Sequence, residues 1–165
     1  MLWFGAGGAS SSSVPACQTS QLAVRHSETG AGLGHAGFVL KLTNRSSHPC
    51  AIGGYVGLLR LDVHRRPLPT VVRRGSGYLF SSARPRTINL APGHSVYAGV
   101  EWIDGPVGNE PASCGTSGHD LEVTPPNQTT HLTIYAPTGA CAHGTLDTTA
   151  IQLAPLGHGL VHFIA

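Results

Sequence analysis

The apolar residues of this chain come in short runs that alternate every second residue, and turn formers bound almost every run. Val96, Ala98, Val100 and Trp102 show the pattern most clearly, because they share one face of an extended segment. No helical period lasts longer than two turns. The 22 glycines and 12 prolines among 165 residues also favour turns over long helices. The pattern therefore predicts an all-β chain that folds as an antiparallel β-sandwich.

Seven to nine short strands are predicted, at spacings of about ten to fifteen residues along the chain. They lie in residues 21–26, 38–44, 55–63, near Val71 and Val72, up to Leu90, 96–102, 120–126, 129–137 and 144–155. Residues 28–37 are dense in glycine and predict a flexible link. Pro92 and Gly93 are the residue pair of a type II turn, because proline fixes its φ and glycine accepts the positive φ that follows.

One domain with a single core suits a chain of this length. Residues 1–16 are interpreted as a residual signal or linker segment without order, 17–155 as the sandwich, and 156–165 as a tail or final strand. No transmembrane segment is predicted, since the most apolar late run, residues 150–165, is too short to span and carries polar residues. Residues 14–17 weakly resemble a lipoprotein processing site, with Cys17 as the lipidated residue, but Pro15 fits such a site poorly.

The four cysteines are the next constraint, and none of them lies in a C-x-x-C pair. That spacing weakens zinc-ribbon and thioredoxin-like interpretations. Cys17 precedes the first predicted strand and Cys50 follows the second, so an antiparallel pair would bring them together. The same reasoning joins Cys114 to Cys141 around the strands in 120–126 and 129–137. Two disulfides would indicate an oxidising compartment, and four reduced cysteines in the cytosol are the alternative.

Charge is distributed unevenly along the sequence. Residues 60–86 hold seven arginines against one acid, Asp62, for a net charge of +6, whereas residues 87–165 hold six acids and no Lys or Arg. The arginines form our candidate binding surface for an anionic polymer or lipid headgroup: Arg60, Arg65, Arg66, Arg73, Arg74, Arg84 and Arg86. A solvated loop is the plainer interpretation. Nucleic acid is not predicted as a partner, because the arginines are not interleaved with aromatic residues.

Several segments together resemble the actinobacterial secreted proteins and lipoproteins grouped as domain-of-unknown-function family 4232. The resemblance covers about residues 17–153. Its most specific pieces are Thr43-Asn44 with Pro49-Cys50, then Gly54-Tyr55, Leu90-Ala91-Pro92-Gly93 and Val123-Thr124-Pro125-Pro126. It implies an exported, disulfide-bonded, immunoglobulin-like β-sandwich at the envelope of a high-GC bacterium, and it implies no catalytic residues. Val56 stands where members of the family usually carry proline, which puts the local turn shape in doubt.

Catalytic and metal-binding interpretations remain as alternatives. Cys114, His119, Cys141 and His143 could form a zinc site if their loops met, but a disulfide between the same loops would exclude it. Ser117, His119 and Asp120 hold the residue types of a hydrolytic triad, although sequence neighbours rarely converge as one. Five acids are candidates for paired-carboxylate catalysis, and their spacing selects no pair: Glu101, Asp104, Glu110, Asp120 and Glu122.

The sequence thus predicts an exported, non-enzymatic module of the cell envelope, either binding or structural, with an envelope polymer or protein as its partner. It predicts no catalytic residue, no cofactor and no metal, and it leaves the oligomeric state open. The alternative is an envelope hydrolase or metal-dependent enzyme with its site near the loop from Cys114 to Asp120.

Overall fold

The computed structural model describes residues 13–154, and these residues form a β-sandwich built from eleven strands. The strands are β1 (Leu22–His26), β2 (Gly30–Gly32), β3 (His35–Asn44), β4 (Cys50–Ile52), β5 (Gly57–Leu61), β6 (Val71–Arg74), β7 (Ile88–Leu90), β8 (Ser95–Ile103), β9 (Gly118–Thr124), β10 (Leu132–Thr138) and β11 (Thr145–Thr148). One turn of 3₁₀-helix, Thr19–Gln21, precedes β1, and the short α1 (Cys141–Gly144) precedes β11. The predicted leader or linker lies mostly outside the described residues, and so does the predicted C-terminal tail.

The larger sheet has the order β1-β3-β8-β11-β6, with β2 also paired to β3. Its pairs are antiparallel except β6 with β11, which run parallel. The opposing sheet has the order β10-β9-β5, and β4 pairs with β7 in a separate two-stranded ladder. Both the β1–β3 and the β9–β10 pairs are antiparallel, as the cysteine argument requires.

The core lies between the two sheets and is filled by the alternating residues that the sequence singled out. Phe38 and Leu40 point inward from β3, and Trp102 meets Phe38 edge-on with 5.6 Å between ring centroids. Leu121 and Val123 close the core from β9 and are fully buried. Burial of apolar area of this kind is the main favourable contribution to folding.

Two disulfides tie the ends of strand pairs together. Cys17 joins Cys50 with an S–S distance of 2.03 Å, and Cys114 joins Cys141 at 2.02 Å. These are the pairs that the strand order favoured. They close loops of 33 and 27 residues in the sequence, so each one restricts the unfolded chain substantially.

The structure differs from the sequence prediction in two short stretches. The glycine-dense link of residues 28–37 contains β2 and the first three residues of β3, rather than a flexible connection. A strand at Cys50–Ile52 was not predicted, because three residues are too few to show an alternation. The predicted turn at Pro92-Gly93 is confirmed: Gly93 has φ +76°, and the His94 amide donates to the Ala91 carbonyl at 3.1 Å.

Residues 75–86 form a segment that we call the strap, and it crosses the outer face of the larger sheet. Phe80 packs on Val39, whose neighbours in β3 point into the core from the opposite face. A Cβ on Gly99 would lie 2.6 Å from Cγ of Phe80, so a side chain there would collide with the ring. The glycine in the middle of β8 therefore provides the slot into which the strap inserts.

Candidate functional site

Arg60 does not lie on a surface, and its place in the candidate binding surface is wrong. It is only 1% exposed. Its three nitrogens donate one hydrogen bond each: Nε to Thr138 Oγ1 at 3.2 Å, Nη1 to the Pro69 carbonyl at 3.0 Å and Nη2 to the Thr116 carbonyl at 2.7 Å. The register of β5 against β9 places Arg60 opposite Leu121, which explains the burial. Arg60 therefore joins three segments at one end of the sandwich.

The charge of Arg60 has no nearby counter-charge in the part of the chain that the structure describes. Among residues 13–154, no carboxylate oxygen lies within 4.0 Å of its guanidinium. Burial lowers the pKa of Arg60, because desolvation disfavours the charged form. Arginine nevertheless stays protonated in proteins. A buried positive charge satisfied only by neutral oxygens is an uncommon arrangement, since desolvation of an ion is costly.

Unlike Arg60, three of the seven arginines are paired with acids. Arg73 Nε and Nη2 donate to the two carboxylate oxygens of Asp147 at 2.7 and 2.9 Å, a bidentate geometry that raises the pKa of Arg73. Arg66 Nε lies 2.8 Å from Asp62, and Arg65 Nε lies 3.4 Å from Asp120. These pairs are exposed on the arginine side, so each one contributes little to stability. They nevertheless neutralise three of the seven arginines that the sequence concentrates here.

Arg74, Arg84 and Arg86 are the arginines of this group that stay exposed with no carboxylate within 4.0 Å among the described residues. The guanidinium carbon of Arg74 lies 5.5 Å from the ring centroid of Tyr55. The backbone of Arg86 packs directly on Gly53, two residues before Tyr55. We call these three arginines with Tyr55 the residual basic patch. It is the part of the predicted surface that remains available to an anionic partner.

Glu101 is the most deeply buried acid among the described residues, at 2% exposure, and it holds the strap in place. Its carboxylate accepts three successive backbone amides: Tyr78 at 2.6 Å, Leu79 at 2.9 Å and Phe80 at 3.0 Å. His35 stacks on the Tyr78 ring, with 4.6 Å between centroids, and its Nδ1 lies 3.7 Å from Glu101. The carboxylate is thus committed to structural hydrogen bonds.

Glu110 has an equivalent role at the second disulfide. Its oxygens accept the amides of Val107 at 2.8 Å, Ala142 at 2.9 Å and His143 at 2.7 Å. These bonds, that of Val107 first, lower the pKa of Glu110 because they favour the charged form. Ala142 and His143 both have positive φ, and their amides therefore turn toward the same acceptor. Glu110 fixes the turn that carries Cys141.

The loop before β9 lines a shallow depression of about 460 Å³. His119 Nδ1 lies 2.9 Å from an oxygen of Asp120, and the His119 ring meets Tyr135 at 4.9 Å between centroids. Ser117 also lines the depression. Within residues 13–154, no hydrogen bond joins Ser117 to His119. The structure thus places Ser117 and His119 in the wall of one depression and hydrogen-bonds His119 to Asp120, which does not line it.

The four-ligand zinc alternative is wrong in the form considered. Cys114 and Cys141 are joined in a disulfide, and a disulfide sulfur is not the thiolate that zinc requires. Within the described residues, no group of three or more His, Cys, Asp or Glu side chains could hold a metal ion.

A second and smaller pocket, of about 280 Å³, opens beside this disulfide at the end of the sandwich where Arg60 is buried. Thr116, His143 and Gly144 contribute to its wall, and Arg60 lies at its base. This pocket was not predicted from the sequence. The one signal for it was the alternation in β5, which places Arg60 on the same face as Leu58, and both faces of that strand carry apolar residues.

The fold and the two bridges define a class: a disulfide-stabilised β-sandwich module. More particularly, the chain belongs to the family described as Domain of unknown function (DUF4232), whose model matches residues 17–156. No curated protein and no solved structure matches the chain. Between residues 13 and 154, no helix has the length and apolar character needed to cross a membrane.

Proposed function

We propose that this domain is an exported, non-enzymatic module that binds an anionic polymer of the cell envelope through the residual basic patch. The observation that carries the proposal is that Arg74, Arg84 and Arg86 are exposed and have no acidic partner within 4.0 Å in the described chain. Arg74 lies over the Tyr55 ring, the backbone of Arg86 packs on Gly53 close by, and Arg84 precedes Arg86 by two residues. Guanidinium groups bind phosphate and carboxylate well, because their planar donors match these anions.

Export is supported by the two disulfides. Such bonds form and persist in oxidising compartments and are rare in the cytosol of mesophiles. A module that works outside the cell also benefits from a cross-linked fold, because each bridge restricts the unfolded chain.

A binding rather than catalytic role is supported by what the candidate catalytic groups do. Glu101 and Glu110 each accept three backbone amides, and Cys114 is oxidised in a disulfide. Asp120 bonds to His119 and also contacts Arg65. An enzyme with its site near the loop from Cys114 to Asp120 is the alternative, and labelling of Ser117 by a fluorophosphonate would favour its hydrolase form.

Binding to linear polyphosphate of defined length tests the proposal. Three cation–phosphate contacts predict that log K falls with log salt with a slope of about −2, if each contact contributes about −0.7 as on single-stranded nucleic acids. Vesicles with anionic lipid form a second arm. Stronger binding to vesicles than to polyphosphate would contradict the choice of a polymer as the ligand.

A matched pair of triple variants separates the patch from net charge. Arg74, Arg84 and Arg86 are changed to glutamine in the first, and Arg65, Arg66 and Arg73, which are paired with acids, in the second. Both lose three positive charges, but only the first should lose polyphosphate binding. Equal losses, or binding that is insensitive to salt, would overturn the proposal.

A further inference from the structure

The pocket beside the second disulfide has the composition of an anion site. Its base is a buried cation, Arg60, and its wall includes Gly115, Thr116 and Gly144. Three of the five guanidinium N–H groups are used in hydrogen bonds, which leaves one N–H on each terminal nitrogen. An N–H group of a guanidinium forms a strong, charge-assisted hydrogen bond with a carboxylate oxygen.

We propose that this pocket binds a small carboxylate, which supplies the counter-charge that Arg60 lacks among the described residues. A volume of about 280 Å³ accommodates roughly nine waters at about 30 Å³ each, so it suits a compact organic acid or the terminus of a peptide. The ligand would add the ionic partner that the carbonyls of Pro69 and Thr116 do not provide.

The charge around the pocket favours a single negative charge on the ligand. Glu110 does not line the pocket. Its carboxylate accepts a hydrogen bond from the backbone amide of His143, and His143 lines the pocket. Arg60 is the one Lys or Arg among the described residues that line the pocket, so a dianion such as phosphate would keep half of its charge unbalanced. A monoanionic carboxylate balances Arg60 one to one.

Close packing keeps the guanidinium in place. A Cβ on Gly144 would lie 2.7 Å from Nη1 of Arg60, so only glycine fits beside the guanidinium there. Gly118 faces the other end of the group, where its Cβ would lie 3.5 Å from Nε. Arg60 is therefore held before a ligand arrives, which reduces the entropy lost on binding.

Titration of the isotope-labelled full chain with sodium acetate tests the site, with chloride exchanged so that ionic strength stays constant. The amide signals of Gly115, Thr116 and Gly144 should shift in a saturable way with a millimolar dissociation constant. Absence of a saturable shift up to about 100 mM acetate would overturn the proposal, since binding weaker than that is negligible. A lower dissociation constant for inorganic phosphate than for acetate would overturn the choice of a carboxylate as the ligand.

Matched variants at the pocket wall provide the control, because Arg60→Met is at risk of not folding. Thr116 is exposed and lines the pocket. Thr116→Glu places a tethered carboxylate at Arg60 and should weaken acetate binding at least about tenfold, whereas Thr116→Gln should retain it. Equal acetate affinity in the two variants would contradict the site.

Two further arms identify the source of the carboxylate and separate this site from the residual basic patch. A dipeptide with a free C-terminus that binds more tightly than acetate, and that loses binding as its carboxamide, supports a peptide ligand. Equal binding of the dipeptide and acetate supports a small organic acid. The triple glutamine variant of Arg74, Arg84 and Arg86 should keep the acetate response, and its loss there would refute the assignment to Arg60.

Discussion

Glu101 holds the strap on the sheet, and its replacement by glutamine should therefore destabilise the domain with little change in shape. The carboxylate accepts three amides, at 2.6, 2.9 and 3.0 Å. In Glu101→Gln, one oxygen becomes an NH₂ group that faces N–H donors, and the negative charge is lost. Hydrogen bonds to a charged group contribute about 1.5–3 kcal/mol each, so loss of one or two predicts a destabilisation of about 1.5–6 kcal/mol.

Urea unfolding followed by circular dichroism measures this loss directly, and hydrogen exchange locates it. We expect the amides of Tyr78, Leu79 and Phe80 to lose protection first, because the strap can open without separating the two sheets. The matched control is Glu122→Gln. Glu122 is half-buried and lies 3.3 Å from His131, so its change should cost less than about 1 kcal/mol. A Glu101→Gln loss no larger than that of the control would refute the reasoning.

Three other perturbations test separate parts of the fold. Replacement of both cysteines of the Cys114–Cys141 bridge by alanine should cost about 3–4 kcal/mol in urea unfolding, from a closed loop of 27 residues. Glu110 has a folded pKa below its unfolded value of about 4.3, so its stabilisation is present above that pH and is lost as pH falls through the folded pKa. The difference between the urea midpoints at neutral and at acidic pH should therefore be smaller in Glu110→Gln than in the unchanged protein. Gly99→Ala should displace Phe80 and lower the unfolding free energy by about 1–3 kcal/mol, whereas Gly105→Ala, with open space around it, should be nearly neutral.

Period-two alternation was sufficient to predict most of the strands, because each long strand buries one face and the pattern is local. Residues 96–102 were predicted as a strand and form most of β8. The link at 28–37 was misread because its glycines were interpreted as flexible. Gly37 lies within β3, where a Cβ would lie 2.6 Å from the Val100 carbonyl oxygen and 3.0 Å from Cε2 of Phe80. Strand β8 and the strap, which impose this requirement together, are both more than thirty residues away in sequence.

The candidate site was less predictable, because the distribution of charge along a sequence does not reveal which charged side chains lie close together in the fold. Arg60 was grouped with the exposed arginines, although the alternation in β5 places it on the same face as Leu58, whereas Arg65 and Arg66 follow that strand. Its burial depends on the pairing of β5 with β9 and on the loop that ends at Gly118. The small pocket likewise depends on the turn that carries Cys141, which Glu110 holds from another segment.

The topology of the sheets brings acids of the later half of the chain beside arginines of the earlier half. Strand β11 lies parallel to β6, and this register places Asp147 beside Arg73. Strand β9 runs antiparallel to β5, which brings Asp120 within reach of Arg65. Two acids of the later segment, Asp147 and Asp120, thus neutralise two arginines of the earlier one. Arg74 lies in the ladder of β6 with β11 but faces Thr148, and Arg84 and Arg86 lie in the strap, so these three arginines remain for a partner.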